Sequence, residues 1–212
     1  MKQLRRCFIS LRSDELEEPI TLVFKLFSRT LPVAVAHFLE LCRGEFDKCS
    51  YKLSEVTRVV APEYIVQMGK IVKRSESTLS RIGDMIDSGE YDKMAVKVRE
   101  KLKFKKGGLL CLVDGENSRF EFFVTLDDLR KYKDKELSGY LIIGELENPE
   151  IARVNEWLEK LQVDDDDRPV SRCWIDRCGE LVAKKSPEEA DKSSAVPTTT
   201  TTTTTAYDLL FK

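Results

Sequence analysis

The chain has 212 residues, of which 42% are hydrophobic and 34% charged, and a formal net charge of -2. This balance is typical of one globular domain with enough chain to bury a core, and it excludes a general electrostatic attraction to nucleic acid or anionic membranes. The single histidine, His37, lies in an apolar helical pattern. A Ser-His-Asp catalytic triad would depend on this one residue, and a histidine-rich metal site is not expected.

The six cysteines and the apolar runs indicate the compartment. The cysteines lack the paired spacing of a metal site, and no apolar run reaches the roughly 18 residues of a membrane span. We therefore expect a cytoplasmic monomer, with a nuclear location as the alternative, that keeps its thiols reduced, needs no cofactor and contacts no membrane. The basic run 93–106 and the acidic run 164–167 are expected to be solvated faces or loops, so we expect no nucleic-acid binding.

The N-terminal part of the chain predicts a hairpin followed by a helix. Residues 7–11 and 19–27 are typical of two strands joined by a polar turn, and alternate apolar side chains of the second strand share one face. Thr30 is the expected N-cap of the helix, Pro32 fits its first turn, and Gly44 ends it. This order indicates a sheet or barrel with a helix packed on it.

Apolar alternation and turn signals predict six further strands and one further helix. The strands are expected at 51–60, 64–72, 109–113, 120–126, 140–146 and 170–178. Residues 73–89 predict a surface loop, and 94–104 fit either a strand or a short helix. An amphipathic helix follows Asn148 and Pro149, with Trp157 on its buried stripe. Eight strands with two helices predict a mainly β fold, an antiparallel barrel capped by helices.

From residue 182 onward the composition cannot form a core. Residues 184–197 are charged and Ser-rich, and 198–205 are eight consecutive threonines. We therefore expect a folded domain over 1–181 and a disordered tail over 182–212. The apolar cluster at 207–211 is expected to be unstructured, with docking on a partner as the alternative.

Function is expected to centre on residues 56–69. Arg58 precedes two valines and a proline turn, after which an aromatic-aliphatic strand carries Tyr64, Ile65 and Gln67. If the two strands pair, a cation and an amide lie beside an apolar wall.

Five motifs occur in order across residues 7–181. They are V-F-K-L-F at 23–27, L-C-R-G-E at 41–45, R-V-V at 58–60, F-F-V-T at 122–125 and I-D-R-C-G-E-L at 175–181. In this order they resemble the cyclophilins, the barrel family of peptidyl-prolyl isomerases. The resemblance implies a closed antiparallel eight-stranded barrel capped by two α-helices.

The resemblance also implies an isomerase of X-Pro bonds, and it assigns the site residues. Arg58 takes the position of the catalytic arginine, which donates to the prolyl carbonyl and stabilises the twisted amide, while Gln67 holds the substrate backbone. The proline pocket and the groove around it take the following residues: Tyr64, Ile65, Val113, Asp114, Glu121, Phe123 and Tyr140. The expected partners are proline-containing peptides or client proteins.

Several residues depart from the family pattern around this site. Thr57 stands where histidine is usual, and Ala61 lengthens the following turn by one residue. Asp114 replaces an asparagine and Glu121 a glutamine, so either acid is a candidate ion-pair partner of Arg58. These changes leave two hypotheses: an isomerase of reduced activity, or a catalytically inactive module that binds proline-containing segments or other proteins.

Overall fold

Eight antiparallel strands form a nearly closed barrel, which confirms the predicted fold class. The structure, a computed structural model, describes residues 4–45, 49–61, 64–71, 103–113, 120–131 and 140–182. The strands are β1 (Arg6–Ser13), β2 (Ile20–Leu26), β3 (Val56–Val60), β4 (Ile65–Met68), β5 (Leu109–Val113), β6 (Phe122–Thr125), β7 (Tyr140–Leu146) and β8 (Cys173–Leu181). The two α-helices of the described residues are α1 (Pro32–Arg43) and α2 (Ile151–Lys160), and a short 3-10 helix spans Leu129–Lys131.

The strand order brings the two ends of the sheet together. Around the sheet the order is β3, β4, β6, β5, β7, β2, β1 and β8. Glu55, just before β3, forms an antiparallel bridge with Trp174 in β8. Next to it, Ile175 N donates to Ser54 O at 2.9 Å and Leu53 N donates to Ile175 O at 2.7 Å. These bonds join the last strand to the segment before β3, so few sheet-edge groups are left unpaired there.

The hydrophobic core fills the barrel because side chains along each strand point alternately toward the interior and the outside. In β2, residues at every second position from Ile20 to Leu26 are buried, as the sequence predicted. The rings of Phe38, Tyr51 and Phe122 meet inside, with centroid distances of 4.9–5.3 Å. Both helices pack apolar faces against this core, including Trp157 of α2.

The start of α1 differs from the prediction by one residue. The N-cap is Leu31, which makes no side-chain cap bond, and the expected Thr30 cap is wrong. Thr30 N and Leu31 N both donate to Phe27 O at 2.9 Å, so a turn occupies Thr30 and delays the helix. Pro32 does lie in the first turn, and Gly44 ends the helix in the left-handed conformation at φ 71°, as predicted.

Three predicted strands differ from the structure by three residues or more at one end. Residues 51–55 do not extend β3, because Ser54 N donates to Tyr51 O at 3.0 Å and closes a turn. β4 stops before Gly69, whose φ is 87°. β8 begins three residues later than expected, because Val170 N donates to Gln162 O at 2.9 Å and holds the preceding residues in a loop. The predicted loop 73–89, most of 94–104 and the tail after residue 182 lie outside the described residues.

The chain divides into two compact units, Met1–Glu180 and Leu181–Lys212, and only Leu181 and Val182 of the second unit are described. None of the described cysteines forms a disulfide, and five of the six are buried. Within the described ranges no helix is long and apolar enough to cross a bilayer. The same ranges contain no cluster of His, Cys, Asp and Glu that could hold a metal ion.

Candidate active site

The predicted catalytic pair lies on two neighbouring strands, in one row with the predicted pocket phenylalanine. Arg58 of β3 lies opposite Gln67 of β4, and Gln67 lies opposite Phe123 of β6. Directly opposite residues share a face and stand about 4.5–5.5 Å apart at Cβ. Phe122, one residue earlier, packs in the barrel core. The row therefore lies on the opposite, outer face of the sheet.

A β-bulge at Thr57 sets the register of Arg58. Val56 pairs with Met68 and Arg58 with Gln67, so two steps along β3 match one step along β4. A bulge of this kind bends the strand and re-aims the side chain that follows it. Thr57 Oγ1 donates to Gln67 O at 3.4 Å across the bulge.

The lengthened turn after β3 does not separate the two strands. Tyr64 N donates to Val60 O at 3.1 Å and closes the turn around Ala61. Residues 62 and 63 lie outside the described residues. With this turn closed, Arg58 and Gln67 stay paired despite the added residue.

The predicted proline-pocket residues belong to one apolar cluster, which we call the wall cluster. Its buried members are Tyr64, Ile65, Phe104, Leu109, Cys111, Phe123, Leu129 and Ile142. Val113 and Tyr140, also predicted, pack against it while partly exposed, and the Tyr140 ring meets Phe123 edge-on at 4.9 Å between centroids. Phe123 is only 1% exposed.

Sequence reasoning did not assign the remaining members of the wall cluster to the site. Cys111 and Ile142 pair across β5 and β7 and continue the row of Phe123. The sequence did contain a signal for them: alternate residues of a strand share a face, so Cys111 and Ile142 could have been placed on the same face as Phe123. Burial raises the pKa of the Cys111 thiol well above its usual value, so this cysteine stays protonated and serves as apolar surface.

Arg58 forms an ion pair with Asp167, a residue that the sequence placed in an exposed connection. Asp167 Oδ2 accepts from Arg58 Nε at 3.0 Å and from Nη2 at 2.7 Å. The side chains are 47% and 36% exposed. Val59 N donates to Asp167 O at 2.7 Å, and this backbone bond fixes the loop beside Arg58.

Of the two acids named as candidate partners of Arg58, Glu121 does not pair with it, and Asp114 lies outside the described residues. Glu121 instead accepts a hydrogen bond from Gln67 Nε2 through its Oε2. Its Oε1 lies 4.0 Å from Lys70 Nζ, and the residue is only 7% exposed. Both polar side chains of the candidate site therefore face a carboxylate.

With this geometry in place, comparison with known proteins identifies the family. Residues 12–180 match the family model described as cyclophilin type peptidyl-prolyl cis-trans isomerase/CLD. The chain belongs to this family, which confirms the family predicted from its motifs.

Two relatives carry the name of the same family, and a solved structure shares the fold. Peptidyl-prolyl cis-trans isomerase 9 of Caenorhabditis elegans is 28% identical over 181 residues, which cover 81% of this chain and 53% of the relative. Its namesake in Caenorhabditis briggsae is 28% identical over 203 residues, covering 90% and 59%. The chain thus spans little more than half the length of these relatives. A crystal structure of a cyclophilin type isomerase from Cryptosporidium parvum shares the fold, with a TM-score of 0.56, 18% identity, and coverage of 86% of this chain and all of that one.

Proposed function

We propose that this domain is a peptidyl-prolyl cis-trans isomerase of reduced activity, acting on X-Pro bonds of proline-containing peptides or client proteins. Arg58 stabilises the twisted amide, Gln67 holds the substrate backbone, and the wall cluster receives the proline ring. The observation that carries this proposal is the strand register that aligns Arg58, Gln67 and Phe123 across β3, β4 and β6.

Catalysis of X-Pro isomerisation requires few groups beyond Arg58, Gln67 and Phe123. Rotation about an X-Pro amide breaks no bond, and its barrier of roughly 18–20 kcal/mol comes from amide resonance. At the top of that barrier the amide nitrogen is pyramidal and more basic. A guanidinium that donates to the prolyl carbonyl and approaches the nitrogen binds this twisted state better than either planar state, which is the condition for catalysis.

The two carboxylates support reduced rather than abolished activity. An oxyanion-type donor contributes about 2.7–4 kcal/mol to transition-state binding in other enzymes. An exposed ion pair such as Arg58–Asp167 contributes roughly 0–1 kcal/mol, because water screens it. Substrate can therefore displace Asp167 at a cost smaller than the gain from Arg58.

The alternative function is an inactive module that binds proline-containing segments without turnover. The observation that favours it is that Arg58 and Gln67 each have a carboxylate partner, Asp167 and Glu121, before any substrate arrives. Under this alternative the wall cluster still binds proline, but Asp167 holds the Arg58 guanidinium away from the twisted amide.

Two-dimensional exchange NMR on an Ala-Pro peptide tests the proposal, because it reports binding and isomerisation separately. We expect Arg58→Ala to lower the exchange rate about 20- to 200-fold. This range corresponds to the donor contribution of about 2.7–4 kcal/mol minus about 1 kcal/mol for breaking the exposed ion pair with Asp167. Arg153→Ala on α2 is the matched control, since its side chain is also 47% exposed and ion-paired, to Glu150. Wild-type protein that binds the peptide without speeding exchange would instead establish the inactive module.

A further inference from the structure

A small pocket lies beside Arg58 and outside the row of site residues. Its volume is about 260 Å³, and the end of β3, the C-terminal end of α2 and the loop after α2 line it. The apolar lining comes from Val59, Val60, Leu158, Leu161 and Val163. Pockets that enclose drug-sized ligands measure about 300–1,000 Å³. This one therefore has room for a single long side chain.

The ionisable residues that line the pocket, Glu159 and Asp167, are both acids. Glu159 is exposed and has no ion-pair partner among the described residues. The pocket also adjoins the C-terminal end of α2, where unpaired carbonyls favour a cation. The nearest cation of the helix, Lys160, pairs with Glu156 Oε1 at 3.1 Å, one turn back. Charge at this pocket is thus complementary to a positive ligand group.

The pocket combines an apolar lining with two carboxylates, and this combination suits the side chain of lysine or arginine. Such side chains lay their methylene stems along apolar surface and keep the charged end at a polar rim. Asp167 joins this pocket to the candidate active site, because the same carboxylate lies 2.7 Å from Arg58 Nη2. A segment bound at Arg58 therefore has the pocket within reach of a neighbouring residue.

We propose that the pocket binds a lysine or arginine side chain that flanks the proline in the same client segment, an inference that rests on the proposed function. The client's cation shares or takes Asp167, and Arg58 is released toward the prolyl carbonyl. A basic flanking residue then improves binding and also frees the group that stabilises the twisted amide.

The test uses the full chain and peptides with one Ala-Pro bond. Lysine is moved through each flanking position, and every peptide has a partner with norleucine, which keeps the four-carbon stem of lysine and lacks its charged amino group. Chemical-shift titration gives affinity, and exchange NMR gives turnover. At the favoured position we expect lysine to bind roughly three- to tenfold more tightly than norleucine, as two exposed carboxylates allow, and the advantage to fall with added salt.

Two variants locate that advantage. Glu159→Gln removes one pocket carboxylate, and we expect the lysine-to-norleucine affinity ratio to drop about two- to threefold. Glu17→Gln removes an exposed carboxylate that does not line this pocket, and should leave the ratio unchanged. Thermal unfolding of both variants checks that they fold.

The possible outcomes distinguish failure of the pocket proposal from failure of the proposed isomerase function. Equal affinity for lysine and norleucine peptides at every position overturns the pocket, while faster exchange than in buffer still supports the isomerase. An equal loss in both glutamine variants also overturns it, because overall charge then explains the preference. A lysine preference without exchange supports the pocket in an inactive module. If no peptide binds or exchanges, both proposals fail.

Discussion

Replacing Asp167 with asparagine tests whether this carboxylate restrains Arg58. Asp167 has a positive φ of 62°. Asparagine tolerates this left-handed conformation about as well as aspartate does. The backbone bond from Val59 N to Asp167 O, 2.7 Å long, does not depend on the side chain. The substitution therefore removes a charge from beside Arg58 and leaves the loop in place.

The exposure of the pair sets the size of the effect. With side chains 47% and 36% exposed, the ion pair is worth at most about 1 kcal/mol, which corresponds to about fivefold in a rate or affinity. We therefore expect Asp167→Asn to raise kcat/KM on a neutral Ala-Pro peptide by up to about fivefold. On a peptide with a flanking lysine the gain should be smaller, because the same change removes a pocket carboxylate.

Exchange NMR on wild type, Asp167→Asn, Arg58→Ala and the double variant measures this restraint as a double-mutant cycle. The gain from Asp167→Asn should vanish in the Arg58→Ala background, where no guanidinium is left to release. A gain that persists there, or unchanged activity in the single variant, would refute the idea that Asp167 restrains Arg58. Thermal unfolding is the control, since loss of an exposed pair should shift Tm by no more than about 2–4 °C.

Two further predictions concern stability. Burial raises the pKa of Glu180, but Arg5 and Arg43, at 2.7 and 2.6 Å, outweigh burial and leave the pKa below its usual value. Glu180→Gln should cost about 1–3 kcal/mol at pH 7 in urea unfolding. Because the folded pKa is lowered, this difference is full above the unfolded pKa of about 4.3 and should disappear as the pH falls through the folded value; a constant difference contradicts the ion pair. Gly69→Ala should lower Tm by roughly 5–15 °C, because φ is 87° and the added Cβ would lie 2.5 Å from the Phe122 ring. An unchanged Tm would show that this backbone can relax.

The fold could be predicted from sequence because its signals are local. Alternation over β2 fixes which side chains face the core, and the predicted bounds of β5 and β7 agree with the structure. The pairing of Arg58 with Gln67 follows from two strands joined by a short turn. Such contacts span few residues, so pattern and turn chemistry determine them.

The Arg58–Asp167 ion pair could not be predicted from local sequence patterns. The two residues are 109 positions apart, and their contact depends on a loop that folds back onto β3. Four consecutive acids signal only a solvated segment, and nothing local shows which of them meets a cation. For the same reason the sequence left Asp114 and Glu121 as candidate partners of Arg58, although the cross-strand register turns Glu121 toward Gln67.

The two carboxylates of the site should weaken different steps. Asp167 is exposed, so water and substrate exchange with it readily, and under the proposed function Arg58 then remains available to the twisted amide. Glu121 is only 7% exposed, and Gln67 is harder to draw away from it. Gln67 is the proposed holder of the substrate backbone, which binds planar and twisted amides alike. Loss of such uniform binding raises KM without lowering kcat. Reduced activity should therefore appear mainly as weak substrate binding, and the decisive difference from an inactive module is turnover at saturating peptide.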